Sequence, residues 1–341
     1  MEYTTELMTE ILNINSPGGD TTEAMNRLRE EFISLGIEVS ETNKGAIFGT
    51  IKGREEGNER LISAHIDTIG AMVKEIKPNG RLKLSNIGGL AWGSVEAENV
   101  NIKTRKGKIY TGTILPEKVS IHAYSDIVTT MERNEETVEV RIDEDVKSYE
   151  DTRNLGISVG DFVSFEPRVE ITESGYIKSR HLDDKACVAA LFAACKYLKE
   201  QKLTPRYTTH FFISNYEEIG HGVYSIPEKT SEFLALDIGL VAENHNSDEK
   251  CVTILAKDSR TPYDFGFRNR LVELAEKNNI DYRVDVHYRY GSDASLSVMQ
   301  GVDTNFACIG LGVDATHHYE RSHIKGLENN IKLLIAYIME D

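Results

Sequence analysis

The chain is short of cysteine, proline and tryptophan, with 4, 7 and 1 among 341 residues, and its 39 Lys plus Arg fall well below its 55 Asp plus Glu. Each shortage excludes something. Cys187, Cys195, Cys251 and Cys308 are scattered in apolar surroundings, with no CxxC pair or regular spacing. They argue against a disulfide framework or a zinc knuckle and read as buried thiols of a reducing cytosol. The net charge of −16 repels phosphate backbones and anionic lipid, which makes nucleic acid and membrane surfaces poor partners. Residues 186–195 form the longest run of small apolar side chains, flanked by Lys185 and Lys196 and far too short to span a bilayer. The opening MEYTTELMTEILNINS is polar and acidic where a secretory signal is basic and then apolar, so a cytoplasmic protein is expected.

What is present is an ordinary globular composition, 40% hydrophobic and 28% charged, long enough for two domains at about 150 residues each. Residues 4–13 and 22–35 carry helical periodicity on either side of the breaker NSPGGD, with Met25, Leu28, Phe32 and Leu35 at spacings of three and four. IEVSE, GAIFGTIKG and RLISAHID read as strands. After Gly70 the pattern becomes short alternating runs such as AMVKEI, RLKLS and KIYTGTIL, broken by Gly, Asn and charged turns, with no helix evident up to residue 167. Helices and apolar strands then return: a helix over 184–199, strands TTHFFISN and FLALDIG, helix FRNRLVELAEKNN, strand YRVDVHY, helix DASLSVMQ, strand TNFACIG and a last helix over 328–339. The expected fold class is therefore α/β, a sandwich around a mixed, mostly parallel sheet built from residues 1–69 and 168–341, with residues 70–167 inserted as a small β-barrel.

His65 and Asp67, two residues apart at a strand end, point to one side of that strand. An aspartate so placed can accept the far ring N–H of a metal-bound histidine and fix its tautomer, although a lone strand-end histidine reads more readily as a hydrogen-bonded core residue. Asp183 and Asp184 in RHLDDKA precede a helix, where N-capping is the plainer explanation. Glu217 and Glu218 in SNYEEIGHG end an apolar strand, and two like charges there call for a cation. Asp237 in LALDIG closes a wholly apolar strand, with a backbone-capping role as the even alternative. Of His317, His318 and His323 in THHYERSH, one can be a ligand and all three cannot.

Together, these residues at successive strand ends would bring three carboxylates and two imidazoles to one sheet edge, a ligand set for two divalent metals. SAHIDTIG, RHLDDKA, NYEEIG, LALDIG and GSDA also stand in the order of the motifs of the M42 co-catalytic metallo-aminopeptidases, which this sequence resembles over nearly its whole length. The resemblance implies a zinc-exopeptidase-like α/β/α sandwich with an inserted barrel used for subunit contacts. It implies one metal on His65, Asp183 and Asp237 and the other on Asp183, Glu218 and His317, with Asp183 bridging. It gives Asp67 the task of orienting His65 and Glu217 that of general base, and it implies a cis peptide between Asp183 and Asp184. Matching Glu320 to the family's glutamate favours His317 over His318 as the last ligand. The sequence departs from the family in HHYERSH and in Lys185, which stands where arginine is usual.

The implied reaction is removal of N-terminal residues from peptides, by a hydroxide shared between two metals, zinc or cobalt, and a glutamate base. Peptides are then the substrates. Assembly would run from dimers to a hollow dodecamer. Lys257 and Arg260 are the sequence's candidates for a pocket that reads acidic side chains, against a plain surface role. Three other readings stand beside this one: a two-metal deacylase of a small metabolite, a glycosidase using Glu217 and a second carboxylate, and a silent metal-binding assembly module.

Overall fold

A computed structural model describes residues 1–340. It divides into two compact units, one of Met1–Asp67 together with the chain from Arg168 onward, the other of Thr68–Pro167.

In the first unit the helices Glu2–Leu12 and Thr22–Ser34 bury Leu7, Met8, Ile11, Met25, Leu28 and Phe32, the apolar faces that the periodicity predicts. They pack on a mixed sheet, twelve-stranded among the described residues. At its centre Glu55–His65 runs parallel to both Tyr207–Ser214 and Thr230–Leu236, and the latter runs parallel to Asn305–Asp314. These strands are apolar on both faces because both faces are covered. Ile62 and Ala64 join the cluster that holds the long helix Leu182–Glu200, while Leu61, Phe212 and Phe233 join another that holds Ala294 of the helix Asp293–Met299. Parallel alignment puts the carboxyl ends of the central strands, and the residues that follow them, at one edge.

Three elements differ from the expectation. The strand Val252–Lys257 pairs with Asn305–Asp314 and Tyr282–Val286, an addition the sequence pattern did not signal because its short apolar run does not alternate and fits a buried helical segment as well as a strand. The last helix begins at Ile324 instead of residue 328, since Gly326 is no breaker: a side chain there would come within 2.2 Å of the Glu249 carbonyl, so glycine permits a close approach. The helix expected from residue 184 is preceded by a kink at Asp183 and Asp184, joined by the cis peptide. Lys185, just beyond, is fully buried and donates to the carbonyls of Ile11 (2.9 Å) and Ile14 (2.6 Å) at the end of the first helix. Burial lowers its pKa to about 7. A lysine there answers the Ile14 carbonyl and adds a second donor at Ile11, whose carbonyl also accepts from Ile14 N at 3.2 Å.

The second unit is a closed barrel with strand order Gly70–Ile76, Leu82–Ile87, Val138–Ile142, Ile109–Pro116, Asn99–Lys103, Phe162–Phe165. Val73, Leu84, Val100, Ile114, Val140 and Val163 fill its interior. Short helices at Ile121–Tyr124, Ile127–Thr130 and Tyr149–Asn154 correct the helix-free expectation; at four to six residues they are too short to show a period.

Phe32 is fully buried, its ring centroid 4.3 Å from that of Phe192 on the long helix. Phe32→Ala should cost about 3–5 kcal/mol in urea unfolding. A loss under about 1 kcal/mol would mean that the second helix is not anchored through this ring.

Candidate metal centre

The central strands deliver the chemistry. His65 is the last residue of Glu55–His65, Glu217 opens a short turn after Tyr207–Ser214, and Asp237 follows Thr230–Leu236. Asp183 lies in the kink before the long helix, and His317 lies in the turn between Asn305–Asp314 and Glu320–His323. All are buried or half-buried.

Asp183 is the hub. Its Oδ1 lies 3.2 Å from His65 Nε2 and its Oδ2 3.6 Å from His317 Nε2. His317 Nε2 is also 3.5 Å from Glu218 Oε2, and His65 Nε2 is 3.7 Å from Glu217 Oε2. His65, Asp183 and Glu218 each turn a ligand atom into a space less than 4.8 Å across, and Asp183, Asp184 and Asp237 do the same. Separations of 3.5–3.7 Å are long for hydrogen bonds. They are close to the roughly 3.4 Å between two ligand atoms that each sit about 2.0–2.1 Å from one tetrahedral zinc. The donor set of imidazole and carboxylate suits zinc, cobalt or manganese.

Surrounding bonds fix these aims. His65 Nδ1–H donates to the Asp67 carbonyl at 2.9 Å, leaving Nε2 free to face Asp183. The Asp67 carboxylate stands farther from that ring, at 3.7 Å. It instead accepts from the backbone N–H groups of Glu217 and Glu218, both at 3.1 Å. Orientation of His65 thus comes from the main chain of Asp67, and the side chain holds the paired-glutamate turn. Asp184 accepts from His65 N at 3.1 Å and caps no helix. Asp237 closes the arrangement opposite Gly310, where any Cβ would fall 1.4 Å from the Asp237 carbonyl.

Two residues outside the sequence's candidate list also belong here. Glu320 accepts from Asp183 N at 3.1 Å and from His317 N at 2.9 Å, so a single carboxylate sets the backbone of two candidate ligands. Asp293, of the GSDA turn, takes a 2.5 Å bond from Ser214 Oγ. Both are buried acids, which is the signal that composition alone hides. Of the remaining histidines, His318 turns its ring nitrogen toward the Thr316 carbonyl, while His323 caps the last helix by accepting from Lys325 N. The Lys257 ammonium donates to the Asp258 carbonyl, and the Arg260 side chain lies against Gly291.

The electrostatics describe a site lacking positive charge. Burial raises Glu217 and Asp237 well above the carboxylate range, with neighbouring acids adding to it and His65 opposing. Burial likewise brings Glu218 to about 7 and Glu320 to about 8. Asp183 is the exception: burial pushes it up, but His317 and His65 together pull it well below its ordinary value. His65 is raised despite burial, by Asp183 first and then Glu217, Asp184 and Asp67. Without a cation, protons must take its place.

A family profile described as M42 glutamyl aminopeptidase matches residues 45–333. The chain belongs to the M42 peptidase family. It is 47% identical to a Bacillus subtilis (strain 168) protein named "Putative aminopeptidase YhfE", over 98% of this chain and 97% of that one. The TET aminopeptidase of the archaeon Thaumarchaeota archaeon SCGC AB-539-E09 superposes with a TM-score of 0.90 at 19% identity, covering 99% of this chain and 96% of its own. The TET1 peptidase of Pyrococcus horikoshii gives 0.80 at 23% identity, covering 99% and 100%. This M42 member is a hydrolase of peptide bonds.

Glu320→Gln should misalign His317 and Asp183 and weaken metal binding by roughly 10–100-fold in competition with a chromophoric chelator; unchanged affinity would assign Glu320 a purely structural role. Glu218 has its pKa raised to about 7, so it is protonated in the metal-free fold where the unfolded chain has already ionised. Its stabilising share is whole below about pH 4 and disappears as pH climbs through 7. The gap in Tm between zinc-loaded and zinc-free protein should therefore widen from about pH 5.5 to about pH 8. A constant gap would show that no proton leaves on binding.

Proposed function

We propose that this chain is an aminopeptidase working with two divalent ions, one held by His65, Asp183 and Asp237, the other by Asp183, Glu218 and His317. The observation that carries the reading is Asp183 with its two oxygens turned to two different imidazoles, at 3.2 and 3.6 Å. When bound, such ions supply Lewis acidity that brings the pKa of a water toward 7 and polarises the scissile carbonyl.

The chain's own residues supply the rest. Glu217 is turned toward the same space, its Oε2 3.7 Å from His65 Nε2, and its raised proton affinity suits a group that takes a proton from water and returns it to the leaving amine. Asp67 keeps Glu217 in reach through the backbone of the turn. The surplus of carboxylates favours a substrate that presents a free cationic amine beside its scissile bond, which makes the enzyme an exopeptidase. Asp183, low in pKa, stays anionic throughout.

A two-metal deacylase of small metabolites would use the same groups, and a glycosidase would use two carboxylates but leave both imidazoles without a task. A silent assembly module would need no base. The family relationship and the name of the 47% identical relative favour the peptidase. The Pyrococcus horikoshii TET1 peptidase can assemble into a tetrahedron or a large octahedral shell, and we take this chain to be a homo-oligomer whose barrel serves in subunit contacts. With its four cysteines buried and unpaired, the protein suits the cytoplasm.

Glu217→Gln should keep its metal and lose roughly 10²–10⁴ in kcat on aminoacyl-p-nitroanilides, while chelation of the natural protein abolishes turnover. Retained activity in the variant would remove Glu217 as base. Chelator-resistant cleavage of a β-glucan, or hydrolysis confined to N-acyl amino acids, would overturn the peptidase reading.

A further inference from the structure

Away from the Asp183 centre, a second group of imidazoles meets a carboxylate. His245 lies in the loop after the strand Gly239–Val241, and Asp285 and His287 lie at the end of the strand Tyr282–Val286 and just past it. Asp285 Oδ2 is 3.5 Å from His245 Nδ1 and 3.6 Å from His287 Nε2. One ligand atom from each of the three residues falls within 4.8 Å of the others.

From these distances we infer that His245, Asp285 and His287 form an additional metal site, separate from the peptidase centre, which binds a divalent transition ion of the zinc class.

Three observations carry it. At 3.5 and 3.6 Å the separations match those of His317 to Glu218 and Asp183: long for hydrogen bonds and near the spacing of atoms that share a tetrahedral ion. His245 Nδ1, the ring atom that faces Asp285, is buried without a hydrogen-bond partner, a costly state unless something else answers it. The carboxylate is held in place through Oδ2, which accepts from Asn246 N (2.9 Å), Ser247 N (3.0 Å) and Ser247 Oγ (2.8 Å), while Oδ1, with the single donor Val286 N (2.8 Å), keeps a lone pair for an ion. The protonation states also suit ligands. Burial lowers His287 to about 4, keeping its imidazole neutral, and Asp285 is held below its ordinary value because the Ser247 bonds outweigh the effect of burial. The Leu240 N–H approaches His287 Nε2 at 3.3 Å, a long contact that an ion would displace, and Leu240 is half-buried, so water can replace it.

Two imidazoles and one carboxylate favour zinc, cobalt or nickel over calcium or magnesium, with solvent completing the coordination. Bound there, the ion fastens the loop around His245 to the strand Tyr282–Val286, and as a ligand of the folded state alone it raises thermal stability.

The test uses the full-length protein, stripped with chelator, reloaded with excess Zn2+, freed of loose metal by gel filtration and analysed for zinc per chain. Natural protein should carry one zinc more than His245→Gln or His287→Gln, both variants still hydrolysing aminoacyl-p-nitroanilide. Because the readout is this difference, it does not depend on how many ions the peptidase centre holds. A complementary variant, His65→Gln with Asp183→Asn, disables that centre and should still retain one zinc. Equal zinc in the natural protein and the two single variants, or zinc-free protein in the complementary variant, would overturn the assignment.

Discussion

Asp183 between His65 and His317 is the interaction on which the rest of this molecule depends. Carboxylates are costly to bury, and here Asp183, Asp184, Glu217, Glu218, Asp237 and Glu320 are drawn together with two imidazoles for compensation. Burial pushes all of these acids up, and only Asp183 ends below its ordinary value, because both rings bond to its carboxylate. A fold that tolerates such a cluster without a cation does so by keeping protons on it. With divalent ions in place the same cluster becomes a set of ionised ligands, and the repulsion that would weaken the fold becomes affinity for metal.

The arrangement is kept in shape by main-chain bonds more than by side-chain pairs. The Asp67 carbonyl sets the tautomer of His65, while its carboxylate ties down the turn that carries both glutamates. Glu320 performs the corresponding task for Asp183 and His317. Each of these acids spans two segments far apart in sequence, which is how parallel strands with their loops at one edge become a single centre. Gly310, crowded against the Asp237 carbonyl, shows the same economy of space.

Much of this is legible in the sequence. Strand ends announce themselves through apolar runs closed by a charge, so His65, Glu217, Glu218 and Asp237 stood out, and the order of the motifs pointed to the M42 family. The barrel's strands were visible as alternating runs. What stayed hidden has physical reasons. Helices of four to six residues carry no period. Val252–Lys257 is too uniformly apolar to be told from other buried segments. Gly326 imitates a breaker because a neighbouring carbonyl, remote in sequence, demands the missing side chain. That the carbonyl rather than the carboxylate of Asp67 meets His65 is a matter of an ångström, and Glu320's double acceptance depends on a register that only the folded sheet supplies. The departure at Lys185 also finds its account in a distant partner, the carbonyls ending the first helix.

The most direct test of the account is an anomalous difference map, recorded at the zinc edge from crystals of the zinc-loaded enzyme. Two peaks roughly 3.5–4 Å apart on either side of the Asp183 carboxylate, one toward His65 and one toward His317, are the expected result. A single peak, or peaks that leave Asp183 uncoordinated, would contradict it.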